Sequence, residues 1–148
     1  MNSKEYDPLF SEYALPVIEK LQAEERSSTF SDCTRFLISH IQSMPAWQIA
    51  LPIIACKAAG GSIDDGAILA SAWTSLNLAS EILDNVEDKE LTADQFLTSP
   101  EVASNIATSL IFSSFHTLAS IQDANIANQI CRFLSSCGFD AAYGQHRT

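Results

Sequence analysis

The 148-residue chain is poor in the residues that punctuate a fold, with five glycines and five prolines. Turns are therefore few and the elements between them long. Sustained alternation of apolar and polar residues is absent, so the usual signals of a β-sheet are missing. Four cysteines, Cys33, Cys56, Cys131 and Cys137, form no Cys-x-x-Cys pair and no zinc-ligand spacing. Each lies among apolar neighbours and reads as a buried, reduced thiol. Basic residues are scarce and scattered singly, eight against 18 acidic ones, for a net charge of −10. Nucleic acid and anionic membrane surfaces both need clustered cations, so neither is an expected partner. The longest apolar stretch, Ile49 to Cys56, is interrupted by Pro52 and is too short to span a membrane. Met1 to Asp7 carries mixed charge and no apolar core of a signal peptide, which makes a cytoplasmic location the default.

What the chain does have is apolar content, 47% of residues, with 18% charged, the balance of a folded domain. One domain of this length can bury a core without staples. Helical spacing runs through it. The pattern predicts an all-α, antiparallel bundle of about six helices. The first spans Asp7 to Glu25, with Leu9, Tyr13, Val17 or Ile18 and Leu21 on one face, and Pro16 placed to kink it. Ser27 to Ser31 is a polar break, and a second helix follows to Ser43. Pro45 suits the first turn of a third helix reaching Ala59, which is apolar all round and so expected to be central. Gly60-Gly61 stops it. Ser62 caps a long fourth helix, Ile63 to Asp88, whose first turn holds Asp64 and Asp65. Leu91 to Thr98 reads as a loop. Ser99-Pro100-Glu101 starts a fifth helix running to Ile121, and a sixth runs from Asn125 to Tyr143.

The fourth helix ends in Glu81, Asp84, Glu87, Asp88 and Glu90, offset only by Lys89. Asp84 and Asp88 are four apart and project from one face, with Glu81 a turn below. Like charges at that spacing repel, and the partial negative charge of a helix C-terminus adds to the repulsion, each effect worth a few tenths to about 1 kcal/mol. Two readings follow: a solvated acidic helix end, or a site for a hard divalent cation. Mg²⁺ favours the second chemistry, because it takes carboxylate oxygens, keeps several waters and bridges to substrate phosphates. Behind Asp84 on the same face stand Glu81, Asn77 and Trp73, the last about 16 Å below at 1.5 Å per residue. Such a stripe is either core or the wall of a shaft for a hydrocarbon tail. Leu110, Phe112, Phe115 and His116 on the fifth helix are the candidates for the facing wall, although His116 on its own reads as a core residue. His40 and His146 are isolated.

Leu51-Pro52-Ile53-Ile54-Ala55-Cys56-Lys57-Ala58-Ala59-Gly60-Gly61, followed by a helix ending Asp84-Asn85-Val86-Glu87-Asp88, resembles the trans-isoprenyl diphosphate synthase (polyprenyl synthetase) family. There a helix ending in Ala-Ala-Gly-Gly precedes one ending in Asp-Asp-x-x-Asp. Gly144-Gln145 is similar to the family's Gly-Gln-x-x-Asp segment, with Thr148 at the aspartate position. The resemblance covers the family's N-terminal half. It implies an isoprenoid-synthase-like fold and Mg²⁺ held by Asp84 and Asp88. It also implies an allylic prenyl diphosphate bound near Glu81, Asn85, Asn77, Ser80, Trp73, Phe112 and Gln145. The sequence departs from the family in four further respects. Asn85 replaces the middle acid, Ser43 to Pro52 and Leu91 to Pro100 carry no basic residue, and a second aspartate-rich motif is missing from these 148 residues. Beside a helical interaction protein with no ligand, whose acid cluster is solvated surface, these departures leave two expectations open: a prenyltransferase fragment or subunit, or a non-catalytic helical subunit or binding module. Either would leave the apolar third and fourth helices uncovered, so a homo- or hetero-oligomer is expected.

Overall fold

The computed structural model describes residues 8–25, 31–92 and 97–145. The expected helix start at Asp7, most of the polar break at Ser27 to Ser31, the middle of the Leu91 to Thr98 loop, His146 and Thr148 lie outside them. Among the described residues the fold is an all-α bundle of six α-helices without strands. A π turn, Phe10–Ala14, leads into α1, Leu15–Glu25. Pro16 has no N–H and crowds the preceding turn, and the chain widens to an i to i+5 bond, Leu15 N–H to the Phe10 carbonyl, just before it. The expected kink thus takes the form of a widened turn. Then come α2 (Ser31–Ser43), α3 (Ala46–Ala58), α4 (Ile63–Glu87), α5 (Pro100–Leu118) and α6 (Ala124–Gln145).

The caps explain these boundaries. Ser62 Oγ accepts the Asp65 N–H at 3.0 Å, and Ser99 Oγ accepts that of Val102 at 3.3 Å with Pro100 in the first turn. Asp123 starts α6, its Oδ1 accepting from Asn125 N–H at 2.9 Å and Ile126 N–H at 3.2 Å. The end of α3 is a Schellman closure: Gly60 N–H bonds the Lys57 carbonyl at 3.0 Å and Gly61 N–H that of Cys56 at 2.9 Å. Gly60 sits at φ 88°, which a side chain would strain.

The central element is α4, not α3. Eleven of its 25 residues are buried, and most are small: Gly66, Ala67, Ala70, Ser71, Ala72, Thr74, Ser75 and Ala79, beside Ile68, Leu78 and Ile82. The hydroxyls of Ser71, Thr74 and Ser75 bond carbonyls four residues back, at 2.9, 2.8 and 2.9 Å. Buried polar atoms are thereby satisfied within the helix itself. Apolar content misled the reading of α3. It buries Ala46, Ile49, Ala50 and Ile53 but leaves Trp47, Leu51 and Ile54 exposed. The four-residue connection folds α4 back along α3, so that a Cβ on Gly66 would lie 3.0 Å from Ile53 Cα.

Two apolar clusters result. The larger joins the π turn and α1–α5 through residues such as Val17, Leu37, Ile41, Ile53, Ile82 and Leu110. The smaller joins Ile68 and Ala72 of α4, Leu118 and Ile121 at the end of α5, and Ala127 and Leu134 of α6. The start of α6 therefore lies by the start of α4. Its end lies by the end of α4, where Gln145 meets Asp84, so the two helices run in the same direction. The expectation of buried cysteines needs correction: Cys33, Cys56 and Cys131 are part-exposed, and Cys137 is exposed. His116 is likewise exposed rather than core. No helix among the described residues is long and apolar enough to cross a membrane.

Gly66→Ala should destabilise the fold by roughly 1–3 kcal/mol, because the added methyl meets backbone that cannot step aside. Thermal or urea unfolding measures this, and an unchanged midpoint would contradict the close α3–α4 approach.

Candidate functional site

The C-terminal turns of α4 carry the acid cluster. Asp84 and Asp88 are both exposed, and Asp88 is the C-cap, its N–H bonded to the Asp84 carbonyl at 2.9 Å. This end is another Schellman closure. Lys89 N–H bonds the Val86 carbonyl at 3.3 Å, and Glu90 N–H that of Asn85 at 2.9 Å. The position that glycine fills after α3 is filled here by Lys89, at φ 60°. A left-handed lysine costs about 1–2 kcal/mol of conformational energy. Its positive charge beside a helix C-terminus partly offsets this.

Two sequence-predicted residues 61 positions apart meet here: Gln145 Nε2 donates to Asp84 Oδ1 at 2.6 Å. A donor on one carboxylate oxygen fixes the group's orientation. Oδ2 is left as the oxygen available to a cation. Trp73, Asn77, Ser80 and Glu81 are exposed on α4, and the Ser80 hydroxyl bonds the Leu76 carbonyl at 3.0 Å. Phe112 of α5 is 71% exposed. Leu110, proposed for the same wall, is instead in the core, and Phe115 is half-buried in the smaller cluster.

A groove opens on the neighbouring side of α4, against α2. Its volume is about 280 Å³, and it is lined by Phe36, Ser39, His40, Ser43, Leu78, Glu81, Ile82, Asn85 and Leu97. Of the residues named from sequence it takes in Glu81 and Asn85, and not Asp84, Asp88 or Trp73. The predicted site is thus divided between an exposed edge of α4 and this groove. The α2 contribution was missed. The available signal was the spacing Phe36, Ser39 or His40, Ser43, which lies on one face of an amphipathic helix. Burial holds the half-buried His40 imidazole below its ordinary pKa, against the opposing pull of the Glu81 carboxylate.

Among the described residues no group of three or more His, Cys, Asp and Glu side chains is placed to hold a metal. Two exposed carboxylates four apart remain a donor set of the hard-oxygen kind that Mg²⁺ accepts while keeping its waters. No family model matches the chain, and no curated protein or solved structure matches it either.

Two outcomes follow. His40 is favoured neutral in the folded state, so stability should be full above about pH 6.5. It should fall as pH drops below that unfolded-state value and level off below the folded pKa. Melting temperature between pH 7.5 and 5.5 reads this, and His40→Gln should flatten the profile. A wild-type slope retained in the variant would assign the effect elsewhere. Lys89→Gly should raise stability by about 1 kcal/mol by relieving the left-handed residue; a loss of stability would mean that the lysine charge outweighs the strain.

Proposed function

We propose that this chain binds an allylic prenyl diphosphate through Mg²⁺ at the C-terminal end of α4, as one wall of a prenyltransferase-like site. The observation that supports this best is the Asp84–Gln145 hydrogen bond. It joins two of the segments, Asp84 to Asp88 and Gly144-Gln145, that carry the likeness to isoprenyl diphosphate synthases. Asp84 Oδ2 and the Asp88 carboxylate would hold the cation, and Gln145 would keep Asp84 oriented. Bound Mg²⁺ would supply positive charge to a diphosphate that the cluster alone repels. Trp73, Asn77 and Ser80 extend from Asp84 along an exposed edge on which a hydrocarbon chain can lie. Glu81 and Asn85 stand at the junction with the groove. The reading carries with it a cytoplasmic setting.

Binding without turnover is the form of this proposal that the residues support. Ionising an allylic diphosphate calls for positive charge from both sides of the leaving group. Arg and Lys are missing from Leu91 to Pro100 and from Ser43 to Pro52, and these 148 residues contain one acid cluster of this kind. Catalysis would then require residues from another chain or segment.

Mg²⁺ with geranyl diphosphate should raise the melting temperature by roughly 5 °C, the scale expected for a ligand well above its Kd. Asp84→Ala should abolish the shift, and Gln145→Ala should reduce it. No shift in the unmutated protein would sink the proposal. The purified chain should form no prenyl product from allylic and homoallylic diphosphates with any divalent metal; detectable product would overturn the non-catalytic half of the reading.

A further inference from the structure

The groove between α2 and α4 combines a closed apolar floor with a polar rim. Phe36, Leu78, Ile82 and Leu97 form the floor, all of them buried. The rim carries two polar pairs, each four residues apart and so on one face of its helix: Ser39 and Ser43 on α2, Glu81 and Asn85 on α4. His40 stands beside the first pair. Hydroxyls elsewhere in the bundle close on their own helix, as those of Ser71, Ser75 and Ser80 do. Among the described residues, no hydrogen bond ties up the side chains of Ser39, Glu81 or Asn85. We propose that this groove binds a small primary amine with an apolar body, its ammonium on Glu81 and Asn85 and its body on the floor. Asp84 and Asp88 do not line the groove, so the inference stands apart from the ligand proposed for the end of α4.

Charge decides the class of ligand. Among the described lining residues only Glu81 and His40 ionise, and burial favours the neutral imidazole. The rim therefore presents one negative charge, close to the other carboxylates at this end of α4. An anion has no counter-charge here: no Lys or Arg lines the groove, and Leu91 to Leu97 contains none. A metal ion would find one carboxylate and one imidazole, short of a binding group, and would leave the apolar floor uncovered. An ammonium has three donors. The Glu81 carboxylate, the Asn85 side-chain carbonyl and a serine hydroxyl or the His40 imidazole supply acceptors for all three. Size fits as well. At about 30 Å³ per water in the liquid, a volume of about 280 Å³ takes a ligand on the order of ten non-hydrogen atoms.

Phenethylamine is the probe, titrated into the whole isotope-labelled chain and followed by backbone amide shifts. Phenethyl alcohol, phenylpropionate and ethylamine are the neutral, anionic and bodiless controls. The amine should bind with a Kd on the order of 1 mM or tighter, with its largest shifts in 36–43 and 78–85. Each control should bind at least about tenfold more weakly, the scale of a hydrogen bond to a charged group. Glu81→Gln should cut the preference for the amine over the alcohol about tenfold. Ser39→Trp, which fills the groove from an exposed rim position, should abolish binding of both. Circular dichroism checks that each variant stays folded. Equal affinity for phenethylamine and ethylamine would mean attraction to the acidic surface alone, and would overturn the proposal. So would the absence of saturable binding, an amine preference untouched by Glu81→Gln, or shifts that fall outside the groove.

Discussion

Everything else in the bundle is arranged around the close packing of α4. A helix can be surrounded by neighbours only if its side chains are small where backbones come near, and α4 has Gly66, Ala67, Ala70, Ser71, Ala72 and Ala79 there. Gly66 sets the approach to α3, at the contact with Ile53. Ala103 and Ala107 give α5 a similarly small face, both fully buried in the main cluster. Large residues then fill the spaces farther from the axis, with Ile53, Ile82 and Leu110 almost wholly enclosed. Such packing gains through dispersion and apolar burial together, because nearly every small side chain sits against another surface.

The same burial explains why the charged groups collect where they do. The flanks of α4 are taken up by packing, so its carboxylates sit at the two ends, Asp64 and Asp65 in the first turn and the rest in the last turns. Repulsion there is relieved by local means: a lysine in a left-handed turn, a glutamine donated from the far end of α6, and solvent. Contrast the end of α3, where glycine makes the same closure without strain and without charge. The acidic end thus keeps a conformational cost that a glycine would remove. A cation is the one ligand class that would draw benefit from the remaining field.

Much of this was legible in the sequence. Helix number and most boundaries followed from spacing and caps, since Ser62, Ser99-Pro100 and Gly60-Gly61 act through bonds within four residues of themselves. Long-range consequences were less accessible. Composition marked α3 as central because Trp47, Leu51 and Ile54 are apolar, yet apolar character says that a face wants cover and not which element supplies it. The serines and threonine of α4 are polar, but each hydroxyl finds its acceptor one turn back, so it can be enclosed without an unpaired donor. Asp84 and Gln145 were each visible, and their hydrogen bond was not, because it depends on how α6 lies across the bundle. The α2 wall of the groove escaped notice for the same reason. His40 and Ser43 acquire neighbours only when α2 settles beside α4.

Those self-contained hydroxyls have a further consequence. A polar group bonded across an interface fixes the register of the two elements, since sliding would break the bond. Ser71, Thr74 and Ser75 spend their donors inside α4, so they place no such demand on its neighbours. The notch at Gly66 is the sharpest register marker in this part of the bundle. A core of this kind tolerates small rotations of α4 about its own axis more readily than one threaded by interhelical hydrogen bonds. At the acidic end such a turn would strain the Asp84–Gln145 hydrogen bond.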